Sequence, residues 1–324
     1  MRLRPLGKTG LRVSEVGFGA WAIGGQAFGP TDDRESVAAL RRALDLGVNF
    51  IDTADTYGDG RSERLVAEAV AGRREAVILA TKVGNNFYEG PLRKDFSDRY
   101  LQFAVEKSLE RLRTDRIDLY QLHNPTLEEI REGRVFETLE DLVREGKIRF
   151  YGVSVRDAPE ARAVIAHGGS AALQLVHNLN FASLLPEIGE EARAAGMGIV
   201  ARTPLDYGML AGKWTSETVF PAGDHRSRRW TREQFLARWE GTQRFRFLVP
   251  AEAPSLAEAA LRFVLSSPAV SVVIPGARTP AQAEANARAG EGPPGLSAEA
   301  LARIAAIHSE TAPRGDRGLP FAKM

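Results

Sequence analysis

Short apolar runs alternate with amphipathic segments along almost the whole chain, and this alternation limits the folds open to it. The runs are Val16–Gly19, Val48–Ile51, Val77–Thr81, Ile117–Leu122, Ile148–Val153, Leu173–Val176, Ile199–Ala201 and Val270–Ile274. They are rich in Val, Ile and Leu and are cut off by polar or turn-forming residues, so they read as buried strands. Between them lie segments with apolar residues at helical spacing. In Asp32–Leu46, Val37, Leu40 and Leu44 share a face, and Thr31 or Asp32 can cap it. The others are Ser62–Val70, Tyr100–Leu112, Val135–Arg144, Ala158–Ala166, Leu184–Ala195, Leu256–Ser266 and Ala281–Ala289, with Pro186 expected to break its segment early. Alternating strands and helices mean a parallel sheet. About eight such units fit a closed (β/α)8 TIM barrel, with an open doubly wound sheet as the competing architecture. A hairpin over Leu3–Val13, turning at Lys8–Gly10, precedes the repeat, and a C-terminal helix over Ser297–His308 follows it. After Ala312 the tail is polar and Gly-rich. The segment from Thr203 to about Pro250 lacks any such pattern and reads as one long, functional loop. One domain over residues 1–324 is expected, because barrels of this length form single domains.

Composition removes several chemistries. No cysteine is present, which excludes disulfides, thiolate metal sites and a Cys nucleophile. The five histidines, at 123, 167, 177, 225 and 308, show no metal-ligand spacing. A formal net charge of +1 provides no field for nucleic acid or membranes. The N-terminal MRLRPLGKTGLRV is basic but lacks the apolar centre of a signal peptide, and no apolar run could span a bilayer. A cytoplasmic protein with no membrane or nucleic-acid partner is expected.

Chemistry gathers where strands end. The stretch Val48–Glu63 is a buried strand that runs into a Gly/Asp loop holding Asp52, Asp55 and Tyr57. Asp52 and Asp55 could simply satisfy turn backbone groups. The next strand, however, ends in Thr81-Lys82, and the one after in Tyr120-Gln121-Leu122-His123. In a barrel these ends converge on one mouth. The set suits proton transfer to a carbonyl oxygen. An ammonium at Lys82 would favour the phenolate of Tyr57 and lower its pKa. Asp52 would hold Lys82 charged, and His123 would hydrogen-bond the oxygen. No side chain here carries a hydride, so a cofactor must.

Gly17-Phe18-Gly19-Ala20-Trp21-Ala22 matches the dinucleotide pattern G-x-G-x-x-A. That pattern must open a helix, and Ile23-Gly24-Gly25-Gln26-Ala27-Phe28-Gly29-Pro30 does not start one. Asp52 also lies farther on than the roughly 20 residues the pattern requires.

Taken together, FIDTADTYGDGRSE, LATKVG, IDLYQLHNP, RFYGVSV and VVIPGARTPAQAEAN resemble the aldo-keto reductase family, in order and position, from about Leu3 to Asn286. The resemblance implies a (β/α)8 barrel, reduction of aldehydes or ketones with NADP(H) or NAD(H), and a catalytic tetrad on Asp52, Tyr57, Lys82 and His123. It also implies a cofactor site. Ala20 and Trp21 would border the nicotinamide, and Ser154 and Gln174 would bind its amide. Where the family most often has Ser-Asn, this chain has Ser154-Val155, and Arg202 stands where many relatives stack an aromatic ring. Thr203, Leu205 and the Tyr207–Lys213 segment would cover the pyrophosphate. Gly276, Arg278, Gln282 and Asn286 would hold the adenosine end. The basic and aromatic cluster Asp224–Trp230 reads as part of the substrate-side wall rather than a nucleic-acid face. A second reading of the same resemblance is an NADP(H)-binding regulatory barrel subunit with little turnover.

Overall fold

The computed structural model describes residues 1–311, so the tail expected after Ala312 lies outside the described residues. A hairpin of β1 (Leu3–Pro5) and β2 (Arg12–Ser14) comes first. Then follow β3 (Phe18–Gly19), α1 (Asp33–Asp45), β4 (Phe50–Asp52), α2 (Arg61–Val70) and β5 (Ile78–Val83). A second small antiparallel hairpin, β6 (Asn85–Asn86) with β7 (Arg93–Lys94), precedes α3 (Asp98–Leu112) and β8 (Ile117–His123). Next come α4 (Leu127–Glu132), α5 (Arg134–Arg144), β9 (Ile148–Ser154), α6 (Ala158–His167), β10 (Ala172–Val176), α7 (Leu184–Ala194) and β11 (Gly198–Arg202). The chain finishes with α8 (Arg226–Arg229), α9 (Arg232–Gln243), α10 (Leu256–Leu265), β12 (Val270–Val273), α11 (Pro280–Arg288) and α12 (Ala298–Thr311).

Eight parallel strands lie side by side in the order β12-β11-β10-β9-β8-β5-β4-β3. The two ends meet. Gly17 N–H donates to Val273 O at 2.8 Å and Gly19 N–H to Pro275 O at 2.9 Å, and Val16 and Gly19 bridge Val273 and Gly276 in parallel. The sheet is therefore a closed (β/α)8 barrel, not an open doubly wound one. Only a short 3-10 turn, Ala22–Gly24, follows Gly19, so the G-x-G-x-x-A match opens no helix.

Leu6 and Val13 of the N-terminal hairpin pack on the inward-facing Phe50, Ile78, Ala80, Leu119, Ala172, Val200 and Val272 and plug one end of the barrel. The plug sits tightly. Gly7 has φ +52°, and a Cβ there would lie 2.4 Å from Gly196 O, so only glycine lets the hairpin seat.

Two expectations need correction, and one helix was not expected. Pro186 does not break α7, because it falls in the first turn, where N–H groups have no intrahelical partner to lose. The stretch after Pro125 forms the extra helix α4, and Thr126 and Glu129 cap it reciprocally. The segment 203–250 is not irregular. It holds α8 and α9, and Thr231 and Gln234 form a second capping box at the start of α9.

Candidate active site

Strand parity decides which side chains enter the barrel. Side chains alternate across a strand, so the residues two beyond the inner core row face inward as well. Two beyond Phe50, Ala80, Leu119, Ala172 and Val200 stand Asp52, Lys82, Gln121, Gln174 and Arg202. A polar layer thus rests directly on an apolar one. Thr81 has the opposite parity. It faces the helices, where its hydroxyl donates to Glu63 Oε1 at 2.6 Å, and Arg111 donates to the other oxygen of that carboxylate at 2.6 Å.

Lys82 is 1% exposed. Its ammonium donates to Asp52 Oδ1 at 2.6 Å, to Thr53 O at 2.7 Å and to the Tyr57 hydroxyl oxygen at 3.3 Å. All three N–H bonds are therefore used. The second oxygen of Asp52 accepts from Gln121 Nε2 at 3.0 Å and from Gln174 Nε2 at 2.8 Å. Gln174 Nε2 also reaches Gln121 Oε1 at 3.0 Å.

Tyr57 lies on the loop after β4, so a close backbone contact fixes it instead of strand pairing. A Cβ on Gly24 would lie 2.9 Å from the carbonyl carbon of Tyr57, and one on Gly58 (φ +65°) would lie 2.2 Å from Gly24 O. Two glycines thus allow the Tyr57-Gly58 backbone to rest on the turn after β3. The Tyr57 ring meets His123 edge-to-face at 6.0 Å between centroids and is 6.1 Å from the Trp21 ring.

Burial pushes the Tyr57 hydroxyl above its ordinary pKa of 10.0; Lys82 pulls it down and Asp52 pushes it up. Lys82 acts on Tyr57 in the expected direction, but desolvation outweighs it and the group stays a neutral proton donor. For Lys82, burial favours the neutral amine, and Asp52 and Tyr57 more than offset this, so its pKa is raised. Burial, with Lys82, Lys94 and Arg202 nearby, holds His123 well below the usual imidazole range. Asp55 stays in the turn, where its Oδ1 accepts from Thr56 N at 2.6 Å. Burial, then Glu63, raises its carboxyl well above the usual range.

The residues expected at a cofactor fall on or just beyond β3, β9, β10, β11 and β12, and in α11. Ala20 is buried, and its N–H donates to Asp52 O at 2.8 Å; Trp21 follows it, half-buried. Ser154 donates to Asn124 Oδ1 at 2.8 Å, whereas the Gln174 amide is engaged with Asp52 and Gln121. Val155 is buried, and its carbonyl accepts from Arg202 at 3.4 Å. Thr203 has φ +57°, and its carbonyl accepts from Asn178 at 2.9 Å. Leu205, partly buried, packs on the outer core. Asp206 ties this loop to α9 through Arg238 at 3.0 and 3.1 Å. At the far end Gly276 is exposed, and its carbonyl accepts from the buried Asn286 at 3.2 Å. Gln282 Oε1 accepts from Arg278 N at 2.8 Å. The Arg278 guanidinium donates to Phe28 O at 3.0 Å, and among the described residues no carboxylate pairs with it. A guanidinium beside the N-terminus of α11, capped by Thr279, fits a phosphate. This donor set suits a nicotinamide dinucleotide.

Within the basic and aromatic cluster two arginines find partners, while His225 Nε2 and Trp230 Nε1 are buried without a hydrogen bond among the described residues. Arg226 pairs with Asp224 and lies about 5 Å from the rings of Phe28, Trp214 and Phe220, while Arg229 stacks on Tyr207 at 3.7 Å. His225 reaches Trp21 at 5.1 Å between ring centroids. The cluster therefore lies against the mouth.

Gln121, Asn85 and Asn124 were not anticipated. Gln121 could have been found by parity, two residues before His123. Asn85 Nδ2 lies 2.9 Å from His123 Nδ1, and it sits on the unanticipated β6–β7 hairpin. Among the described residues no group of His, Asp and Glu could hold a metal ion, and no helix is long and apolar enough to cross a membrane.

The model of the aldo/keto reductase family matches residues 15–309. The chain is 34% identical over 297 residues, 89% of this chain and 91% of the relative, to the oxidoreductase YqkF of Bacillus subtilis. It is similar to the holo form of the aldo-keto reductase AKR11C1 of Bacillus halodurans, with TM-score 0.80 and 32% identity over 95% of this chain and 96% of that one. It is also similar to an aldo/keto reductase of Klebsiella pneumoniae in complex with NADP and acetate, with TM-score 0.69 and 26% identity over 95% of each chain.

Proposed function

The chain belongs to the aldo/keto reductase family of oxidoreductases, and from that premise we propose that it reduces aldehydes or ketones to alcohols with NADPH, with Tyr57 as general acid. The observation carrying this reading is Lys82, which joins Asp52 and the Tyr57 hydroxyl through two of its three hydrogen bonds. When bound, a reduced nicotinamide supplies the hydride. Ala20, Trp21, Ser154, Gln174, Arg202, Thr203 and Leu205 would hold its nicotinamide and pyrophosphate end; Gly276, Arg278, Gln282 and Asn286 would hold the adenosine end.

The chain's own residues handle the proton. Tyr57 is neutral at pH 7, and its hydroxyl oxygen accepts from Lys82, so its O–H is free to give a proton to the carbonyl oxygen. The phenolate left behind rests against the Lys82 ammonium, which Asp52, Gln121 and Gln174 keep in place. The neutral His123 positions the carbonyl oxygen by a hydrogen bond. Arg278 favours NADPH over NADH, because no acid in Gly276–Pro280 repels a 2′-phosphate and a guanidinium can grip it with two hydrogen bonds.

The test is a panel of aldehydes, ketones and sugars assayed with each cofactor, alongside cofactor titrations of wild type and Arg278→Ala. NADPH binding should weaken by about 1.5–3 kcal/mol in the variant while NADH binding barely changes. Equal losses would remove Arg278 from phosphate recognition. Tight NADPH binding without turnover on any carbonyl would favour the regulatory-subunit reading, which the oxidoreductase relatives do not support.

A further inference from the structure

The hairpin β6–β7 grips His123 at two points. Asn85 and Lys94 are directly paired across it. Asn85 Nδ2 lies 2.9 Å from Nδ1 of the His123 ring, and Lys94 Nζ donates to the His123 carbonyl. Asn85 is anchored in turn, because its own carbonyl accepts from the Tyr100 hydroxyl at 2.8 Å. The neighbouring Asn86 is fixed by Asp95 at 3.1 Å and by Tyr88 N–H at 3.1 Å. Among the described residues, the other ring nitrogen of His123, Nε2, has no hydrogen bond.

A neutral imidazole carries one N–H, and the hydrogen bond at one nitrogen decides which nitrogen that is. If the Asn85 amide donates, Nδ1 accepts and the proton resides on Nε2. If the amide accepted instead, the proton would sit on Nδ1, and Nε2 could not donate to a carbonyl oxygen. The amide atom that faces the ring is Nδ2, so the NH2 end of Asn85 meets Nδ1. Burial among Lys82, Lys94 and Arg202 keeps the ring neutral, so the choice of tautomer is a real one.

We propose that Asn85 is a positioning residue: its amide NH2 donates to His123 Nδ1 and fixes the ring in the Nε2–H tautomer, the one able to donate to a substrate carbonyl oxygen. The proposal rests on the carbonyl-reductase reading for its consequence but not for its central measurement. Nitrogen-15 NMR of the histidine rings, assigned with a His123→Gln control, reads the tautomer directly in the wild-type protein near pH 7. The expected result is a protonated Nε2 and a bare Nδ1. A protonated Nδ1 overturns the proposal.

Two variants extend the test. Asn85→Asp keeps the shape but offers only acceptors, so Nδ1 becomes protonated and the ring pKa rises. Its turnover should acquire a new pH limb, falling as pH rises through the raised His123 pKa. Asn85→Ala removes the donor, and kcat should drop by about 10- to 100-fold, by analogy with the loss of outer hydrogen-bond partners of metal-ligating histidines. NADPH affinity should not change. Wild-type kcat in Asn85→Ala, or an Asn85→Asp profile identical to wild type, also overturns the proposal. The spectrum is read without turnover, so a wild type inactive on every carbonyl would count against the reductase reading alone.

Discussion

The barrel mouth and the 203–250 segment lie against each other and are held by different physics. At the mouth, every inward polar side chain of the proton-handling set except Tyr57 stands on a strand, and parallel pairing sets its height. Asp52 pairs with Ala80, Lys82 with Gln121, and His123 with Ser154. Register thus positions these groups, and the apolar row beneath stops them from sinking further. The 203–250 segment has no such ladder. It gathers Met209, Trp230 and Phe235 into a hydrophobic cluster of its own, with Tyr207, Trp214, Phe220, Leu236 and Trp239 packed against it. Arginines between the rings and the Asp206–Arg238 pair bind it together, and Asn180, donating to Asp206 and Thr242, ties it to the barrel. Leu210, Phe245 and Leu248 anchor the ends of the segment in the main core, so local opening is expected of its middle, which packs on itself, rather than of the mouth.

The largest effect should come from the smallest chemical change at the mouth. Tyr57→Phe should lower turnover by about 10²–10⁴ while leaving the melting temperature and NADPH affinity close to wild type. Steady-state kinetics with a cofactor titration would check this, and retained turnover would detach the mouth from proton transfer. Next, Lys82→Met leaves a buried Asp52 carboxylate without its cation, at a cost of about 3–5 kcal/mol in denaturant unfolding. The same variant removes the charge that favours the phenolate, so the alkaline limb of carbonyl reduction should move to higher pH. In wild type the Lys82 pKa is raised above 10.5, so its stabilisation is complete below that value and is lost as pH climbs through the folded pKa. A variant as stable as wild type would break the view that the mouth is part of the cooperative barrel.

Two histidines sharpen the comparison. Burial holds His177, which stacks on Phe263 at 5.2 Å, and His225, in the 203–250 segment, each near a pKa of about 4. A folded pKa below the unfolded value means stability present above about 6.5 and lost as pH falls toward 4. For His177, on the barrel wall, going from pH 7 to pH 5 should cost about 2 kcal/mol of global stability relative to His177→Phe. His225→Phe should leave that global pH dependence as in wild type, since the segment opens locally. Urea midpoints at the two pH values decide the matter. Smallest of all, Trp230→Ala should change global stability by less than about 1 kcal/mol, although the same truncation in a cooperative core costs about 3–5. Amide exchange should instead speed up in α9. A global loss of several kcal/mol would join the two regions into one unit.

The same difference explains what the amino-acid sequence revealed. Asp52, Lys82 and His123 each follow a short apolar run, so period-two alternation and barrel closure bring them together. Gln121 obeys the same alternation but hides inside a run, where a single polar residue attracts no notice. The aromatic residues from Tyr207 to Trp239 face a small separate cluster, so they form no stripe that points to the barrel. The starts Thr231-Arg232-Glu233-Gln234 and Thr126-Leu127-Glu128-Glu129 carry a capping pattern, yet neither helix was expected. The net direction of the Tyr57 pKa was not legible, since residue types reveal the neighbouring ammonium but not the depth of burial that outweighs it.

The three hydrogen bonds of Lys82 have a further consequence, for chemical durability. Aldehydes condense with lysine amines whose nitrogen lone pair is free, and some also alkylate thiols. Lys82 offers no lone pair while its ammonium is raised in pKa and spent on Asp52, Thr53 and Tyr57, and the chain contains no cysteine at all. Under the proposed carbonyl chemistry, Lys82 would thus stay closed to imine formation.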